Sequence, residues 1–177
     1  MGLLDYSELK YLATLKKCSL DNANNEYMVE SEKQVVDFDK VKTRYLNSCG
    51  KSEECAASVD ALAVDTEGNM YMIEFKNGDI STQQIRNKIK DSLLIYGDIT
   101  HTTLKNFRDN VIFILVYNPY VKSYTPQQKR AIALSQLGKE SCPLYDLDKY
   151  DDYCVKKAYM MTAARFNNKV VDKLRVS

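Results

Sequence analysis

Ser58-Val59-Asp60-Ala61-Leu62-Ala63-Val64-Asp65-Thr66-Glu67-Gly68-Asn69-Met70-Tyr71-Met72-Ile73-Glu74-Phe75-Lys76 is the stretch that decides the fold. Ser58 to Asp65 alternates as a strand, Thr66-Glu67-Gly68 turns it, and Asn69 to Lys76 returns as a second strand, ended by the turn pair Asn77-Gly78. A three-residue hairpin loop needs one left-handed residue, and Gly68 stands where it falls. With that loop Asp65 closes against Asn69, Val64 pairs with Met70 and Leu62 with Met72. Asp60 then lies opposite Glu74, and Ser58 opposite Lys76. Directly opposed side chains share a face, their Cβ atoms ~5 Å apart. A two-residue loop would set Asp60 opposite Phe75 and scatter the cluster over both faces.

Two carboxylates converging in an apolar hairpin repel each other unless something compensates them. A hard divalent cation taking carboxylate and carbonyl oxygens is the natural solution. Mg²⁺ held there, or Mn²⁺ in its place, would stabilise the charge that develops on a phosphodiester as water attacks it. Lys76, on the same face, is placed to hold or deprotonate that water or to neutralise the phosphate. The competing reading makes Glu74 and Lys76 a surface strand pair, with Asp60 merely in the same sheet. An unused acid in so apolar a strand is expensive, which weighs against it. The triplet alone decides nothing, because Glu8-Leu9-Lys10 has the same pattern without a partner acid.

Ser58-Val59-Asp60, the turn, and Tyr71-Met72-Ile73-Glu74-Phe75-Lys76 resemble the PD-(D/E)XK nuclease superfamily. The resemblance covers about Ser58 to Tyr117 and implies a restriction-endonuclease-like core: a hairpin carrying the site, then a helix and a further buried strand. It implies that Asp60 and Glu74 bind Mg²⁺ with the carbonyl of Phe75, and that Lys76 assists the attacking water. Val59 departs from the proline that names the family. The glutamate that many members supply from their first helix is not assigned, since Glu26, Glu30 and Glu32 compete for the role.

Outward from the hairpin, Ser81 or Thr82 can cap a helix running to about Gly97, with Ile85, Ile89, Ser92 and Tyr96 on its packed face. Val111 to Tyr117 is the apolar run expected of a buried central strand, stopped by Asn118-Pro119. Thr125-Pro126 opens a helix to about Leu137. After an acidic loop, Tyr153 to Met161 reads as an edge strand and Thr162 starts a last helix through Leu174. Upstream, Leu9, Leu12 and Leu15 predict a helix over Asp5 to Lys17, and Tyr27, Val35, Phe38, Tyr45 and Leu46 a second one within Glu26 to Leu46. Ser48 to Glu54 is a polar loop. The expectation is a single α/β domain over 1–177, with a small mixed sheet flanked by helices on both faces. Its parts are N-terminal helices over 1–57, hairpin, helix and central strand over 58–117, and a helix-strand-helix unit over 118–177.

The 177 residues suit one domain, and the composition, 45% hydrophobic and 28% charged, is that of an ordinary globular protein. No apolar run approaches the ~20 residues of a membrane helix. The first residues lack a basic region followed by an apolar core, so a cytoplasmic protein is expected. Five scattered cysteines and one histidine, without a Cys-x-x-Cys pair, read as free thiols rather than a zinc site. Net charge is +1, but twelve acids face eight bases through Asp65 and twelve face seventeen beyond it. That asymmetry permits a basic face without establishing one.

Gln84 and Lys88 follow the hairpin on one helix face with Asp91, where similar nucleases contact the substrate phosphate; a solvated face explains them equally well. For Lys156, Lys157, Arg165, Lys169, Lys173 and Arg175 a solvated face is the simpler reading against a nucleic-acid backbone contact. His101 reads as a loop or capping residue, and Asp146, Asp148, Asp151 and Asp152 as solvated. Tyr117, Tyr120 and Tyr124 read as packing residues before base-stacking ones. The resulting expectation is a Mg²⁺-dependent nuclease acting on nucleic acid, DNA before RNA, in DNA processing, phage defence or toxicity. A homodimer is compatible with it. The alternative is an inactive member of the same fold that binds nucleic acid or protein.

Overall fold

The computed structural model describes residues 9–79, 81–121, 124–136 and 144–175. The elements follow the order β1 (Leu12–Thr14), α1 (Leu15–Cys18), β2 (Leu20–Asp21), β3 (Glu26–Tyr27), β4 (Gln34–Asp37), α2 (Phe38–Ser48), β5 (Ala61–Asp65) and β6 (Met70–Lys76). They continue with α3 (Thr82–Thr100), α4 (Leu104–Asn110), β7 (Val111–Tyr117), α5 (Pro126–Gln136), β8 (Lys157–Thr162), α6 (Ala163–Lys169) and β9 (Leu174–Arg175). A seven-stranded mixed sheet runs β1-β4-β5-β6-β7-β8, with β9 also on β5. Pairs up to β5–β6 are antiparallel, while β6–β7 and β7–β8 are parallel.

The β5–β6 hairpin has the register expected from Gly68. Val64 pairs with Met70 and Leu62 with Met72, Asp65 N–H donates to the Asn69 carbonyl (3.0 Å), and Gly68 has φ of 84°. Strand alternation then sorts the core into two layers. Leu62, Met70, Met72, Phe113 and Leu115 meet Ile85, Ile89 and Tyr96 of α3 and Phe38 and Val41 of α2. Ala61, Ala63, Ile73, Phe75, Ile114 and Val116 meet Leu15, Val29, Phe166 and Val170. β7, buried on both sides, is the continuous apolar run. A capping box between Ser81 and Gln84 starts α3, and His101, at φ 55°, caps its end.

The N-terminal third departs from the expected helices. Leu9 and Leu15 are buried in opposite core layers while Leu12 is 49% exposed, so the three leucines share no helix face. Leu12–Thr14 pairs instead with β4, and only one helical turn follows; residues 5–8 of the expected helix lie outside the described ones. Within Glu26 to Leu46, Val35 and Val36 are buried in different layers, as in a strand with two covered faces. The helix begins only at Phe38, where Asp37 accepts the Lys40 amide (3.2 Å). At the other terminus Thr162 caps α6 as expected, but the helix stops at Lys169. Leu174 and Arg175 pair with Asp65 and Val64, covering a part of β5 that β4 leaves bare.

Candidate active site

Asp60 directly precedes β5 and Glu74 lies in the second half of β6, at the end of the hairpin away from the turn and on the sheet face covered by α3. The ladder ends at Ala61 opposite Ile73, and Asp60 N–H, just before it, donates to the same Ile73 carbonyl (3.0 Å), which bends Asp60 out of the regular register. Phe75 N–H donates to Asp60 Oδ2 (2.6 Å), so the carbonyl of Phe75 leaves the strand toward the same edge. Alternation puts Lys76 on the face of Glu74. From α3, Lys88 Nζ lies 2.8 Å from Glu74 Oε1 and 3.7 Å from Asp60 Oδ1, so one ammonium serves both carboxylates. Their side chains are 3% and 18% exposed.

That burial governs the electrostatics. It pushes Asp60 up to about 6, with Asp39 adding repulsion, against the pull of Lys88, the Phe75 amide and Lys76. Burial and then the charge of Asp60 hold Glu74 well above the ordinary glutamate value, despite its contacts with Lys88. Burial pulls Lys88 down, but Glu74 and Asp60 together outweigh it and keep its ammonium above the ordinary lysine value. The pair is therefore short of positive charge even with one lysine in place. Two carboxylates and a neighbouring carbonyl form an oxygen donor set suited to a hard divalent cation, and the deficit gives such a cation something to neutralise.

These groups line a cleft of about 640 Å³, walled on one side by Gln84, Asn87 and Lys88 and on the other by Cys18 to Asn24. The sequence-derived residues Asp60, Glu74, Phe75, Lys76, Gln84 and Lys88 all border it. Gln84 spends its carbonyl oxygen on the Ser81 amide (2.8 Å), leaving its NH₂ group at the cleft. Asp91 faces elsewhere and accepts the Ala57 amide (2.9 Å). Burial raises the Cys18 thiol to about 12, so this wall of the cleft stays uncharged there.

None of the three competing glutamates joins the carboxylate pair. Glu30 pairs with Lys16 (2.6 Å), Glu26 accepts from Asn77 (3.1 Å), and Glu32 is exposed on the loop before β4. The acid from the first long helix that acts on the pair is Asp39, which accepts the Ser58 hydroxyl and raises both Asp60 and Glu74. Sequence reasoning missed it by starting that helix too early. The signal was present in Asp37-Phe38-Asp39, an N-cap followed by an acid in the first turn. Elsewhere, Asp151 is tied to Lys157 and to the Ala158 amide (2.7 Å), where it fixes the start of β8.

A family model for "Type II restriction endonuclease, HinfI" matches residues 10–138. The chain belongs to that family, a restriction-endonuclease-like family of the PD-(D/E)XK type, and its sheet and helices are consistent with that fold. No match was found among curated proteins or among solved structures. No helix of the described residues is long and apolar enough to cross a membrane.

Proposed function

We propose that this member of the HinfI restriction endonuclease family is a Mg²⁺-dependent nuclease that hydrolyses phosphodiester bonds of DNA, within one domain spanning the chain. The observation that carries the reading is the pair of half-buried Asp60 and buried Glu74, which remains short of positive charge although Lys88 touches both acids. Perturbed, convergent carboxylates in a cleft support a candidate functional site over a surface ion pair. Asp60, Glu74 and the carbonyl of Phe75 are the groups that would hold the metal. Mg²⁺, or Mn²⁺ in its place, supplies charge stabilisation to the phosphodiester when bound. Lys76 orients the attacking water and offsets charge on the phosphate, while Gln84 and Lys88 face the phosphate from α3 and the proton the water gives up passes to solvent. Water's oxygen joins phosphorus as the bond to the leaving sugar oxygen breaks. DNA processing, phage defence or toxicity, and action as a homodimer in the cytoplasm, fit such an activity.

One observation favours a rival. Lys88 already supplies a cation to Glu74 at 2.8 Å, as a retired site that only binds nucleic acid would. Plasmid DNA and a matched RNA, incubated with Mg²⁺, Mn²⁺ or a chelator, separate the two. The nuclease reading expects divalent-dependent nicking that Glu74→Gln or Lys76→Ala lowers by at least ~10²-fold, the scale on which charge-stabilising groups act, with the mutants' melting unchanged or raised. Binding without any cutting would establish the retired site. Equal cutting by wild type and both mutants would expose a contaminant.

A further inference from the structure

A second cleft, about 660 Å³, opens at the carboxyl ends of the three parallel strands. Lys76, Tyr117 and Thr162 are register partners across β6, β7 and β8, so this cleft begins where the first one ends. Asn77 lines both. Its side chain donates to Asp21 (3.0 Å) in the wall of the first and to Glu26 (3.1 Å) in the wall of the second, and accepts from Asn118 (2.6 Å) beneath the second. The two clefts adjoin, sharing Met28 and Asn77 in their linings.

The lining of the second cleft differs from that of the first. Tyr27 and Tyr120, among the large side chains left exposed, line it at 42% and 85% exposure, and the Tyr27 ring carries Lys16 Nζ 4.9 Å from its centroid. Arg165 and Lys169, one turn apart on α6, line the cleft together with Asn168 and Glu26. Exposed aromatic rings beside cations, without a buried catalytic group, make a surface for stacking and for phosphate contact rather than for chemistry. α6 also lies beyond the family-matched residues 10–138, whereas the carboxylate pair lies within them.

We propose that this second cleft seats the DNA flanking the cut, with Tyr120 and Tyr27 against bases or sugars, Arg165 and Lys169 on the backbone, and Asn168 reading a base edge. It thereby sets which sequences are cut. The inference rests on the nuclease reading for the position of the scissile phosphate. Two strand spacings of ~4.8 Å separate β6 from β8, which is about three base-pair steps of ~3.4 Å. The bases read there lie two to three pairs from the cut.

The test uses the full chain and a 30-bp duplex library with randomised positions. Binding is followed by anisotropy in the Glu74→Gln background, and cut ends made by Glu74-intact protein are sequenced. Arg165→Gln with Lys169→Gln should weaken binding at least tenfold and reduce the log–log salt slope by about 2, one unit per lost phosphate contact. Asn168→Ala and Tyr120→Ala should relax base preference two to three pairs from the cut. Lys105→Gln, on α4 at the opposite end of the strands, is the control and should change neither. Thermal melting checks that each variant is folded. Variants that keep wild-type affinity, salt slope and cut pattern, beside an inactive Glu74→Gln, would overturn the second cleft and leave the nuclease reading standing. Binding that depends on the second cleft without any cleavage by wild type would sustain the cleft and sink the nuclease. A wild type that neither binds nor cuts the library would overturn both.

Discussion

The β5–β6 hairpin carries buried acids at both ends, and the two ends treat them in opposite ways. At the turn, Asp65 accepts from the amides of Glu67 (2.8 Å) and Asn69 (2.9 Å), from the Asn69 side chain (2.9 Å) and from the Tyr71 hydroxyl (3.1 Å). Burial alone would raise it, but those donors outweigh burial and hold Asp65 below the ordinary aspartate value. At the open end, Asp60 and Glu74 share one ammonium and one backbone amide, and both are pushed upward. A carboxylate ringed by donors needs no further partner. A pair left short of positive charge does, and that shortage separates a structural acid from a candidate functional one within a single supersecondary unit.

The largest effect expected from breaking this contrast comes from Lys88→Met. Without its ammonium the metal-free pair is left uncompensated, and the cheapest relief is to protonate Glu74. Holding a group of ordinary value 4.5 protonated at pH 7 costs about 3 kcal/mol at ~1.36 per pH unit. That caps the loss. Chelated Lys88→Met should therefore lose up to about 3 kcal/mol in denaturant melts, less the part the wild type already bears through its own raised Glu74. Saturating Mg²⁺ should restore most of it, because a ligand at a hundredfold excess over its Kd adds ~2.7 kcal/mol. A loss that no divalent cation relieves would make Lys88 a structural partner of Glu74 and weaken the metal reading.

Asp65→Asn attacks the other end. The amide keeps the shape but turns an NH₂ toward two donors, the Asn69 side chain and the Tyr71 hydroxyl. About 2 kcal/mol should be lost, in line with hydrogen bonds to a charged group. Neither divalent cations nor a chelator should alter that loss, and cutting at temperatures well below the melt should be unchanged. A metal-sensitive loss at Asp65 would erase the distinction between the two ends.

This distinction was only half legible in the sequence. Gly68 determined the loop and the loop determined the register, which runs as far as Ala61 opposite Ile73 and so leaves Asp60 and Glu74 at the same end of the hairpin, because each step is local and one wrong residue would reverse every face. The central strand and the helix capped by Ser81 were readable for the same reason: apolar run, cap and turn lie within a few residues. Lys88 was readable as lying on one helix face with Gln84, but not as the ammonium that bridges both acids, since that depends on how α3 packs on the sheet. β1, β4 and β9 were missed because their pairing is with distant chain. Val35-Val36 reads as helix or strand until both core layers exist, and Leu174 has a strand partner only after β5 has been placed. Asp39 was hidden by the same error, since its place relative to the pair follows from where α2 begins.

The last expected effect is a dependence on pH, and it has opposite signs at the two ends. Asp60 sits at about 6 in the folded chain, against an ordinary value of 3.8. Between those values the native state retains a proton that the unfolded chain has released. Its contribution is thus fully present below ~3.8 and is lost as pH rises through ~6, with a slope of at most ~1.4 kcal/mol per pH unit for one proton. Glu74, also raised, acts in the same direction, and Lys88 does not enter this window because its raised value lies far above it. Asp65 is lowered, so its contribution is present above ~3.8 and is lost as pH falls through its depressed value. In chelator, the stability difference between wild type and Asp60→Asn should therefore drift against wild type from pH 4 to 6.5. The difference between wild type and Asp65→Asn should stay level there and shrink only in stronger acid. Urea midpoints at half-unit pH steps measure both. If the two differences track each other, Asp60 is as well satisfied as Asp65, and the charge deficit on which the metal reading depends does not exist.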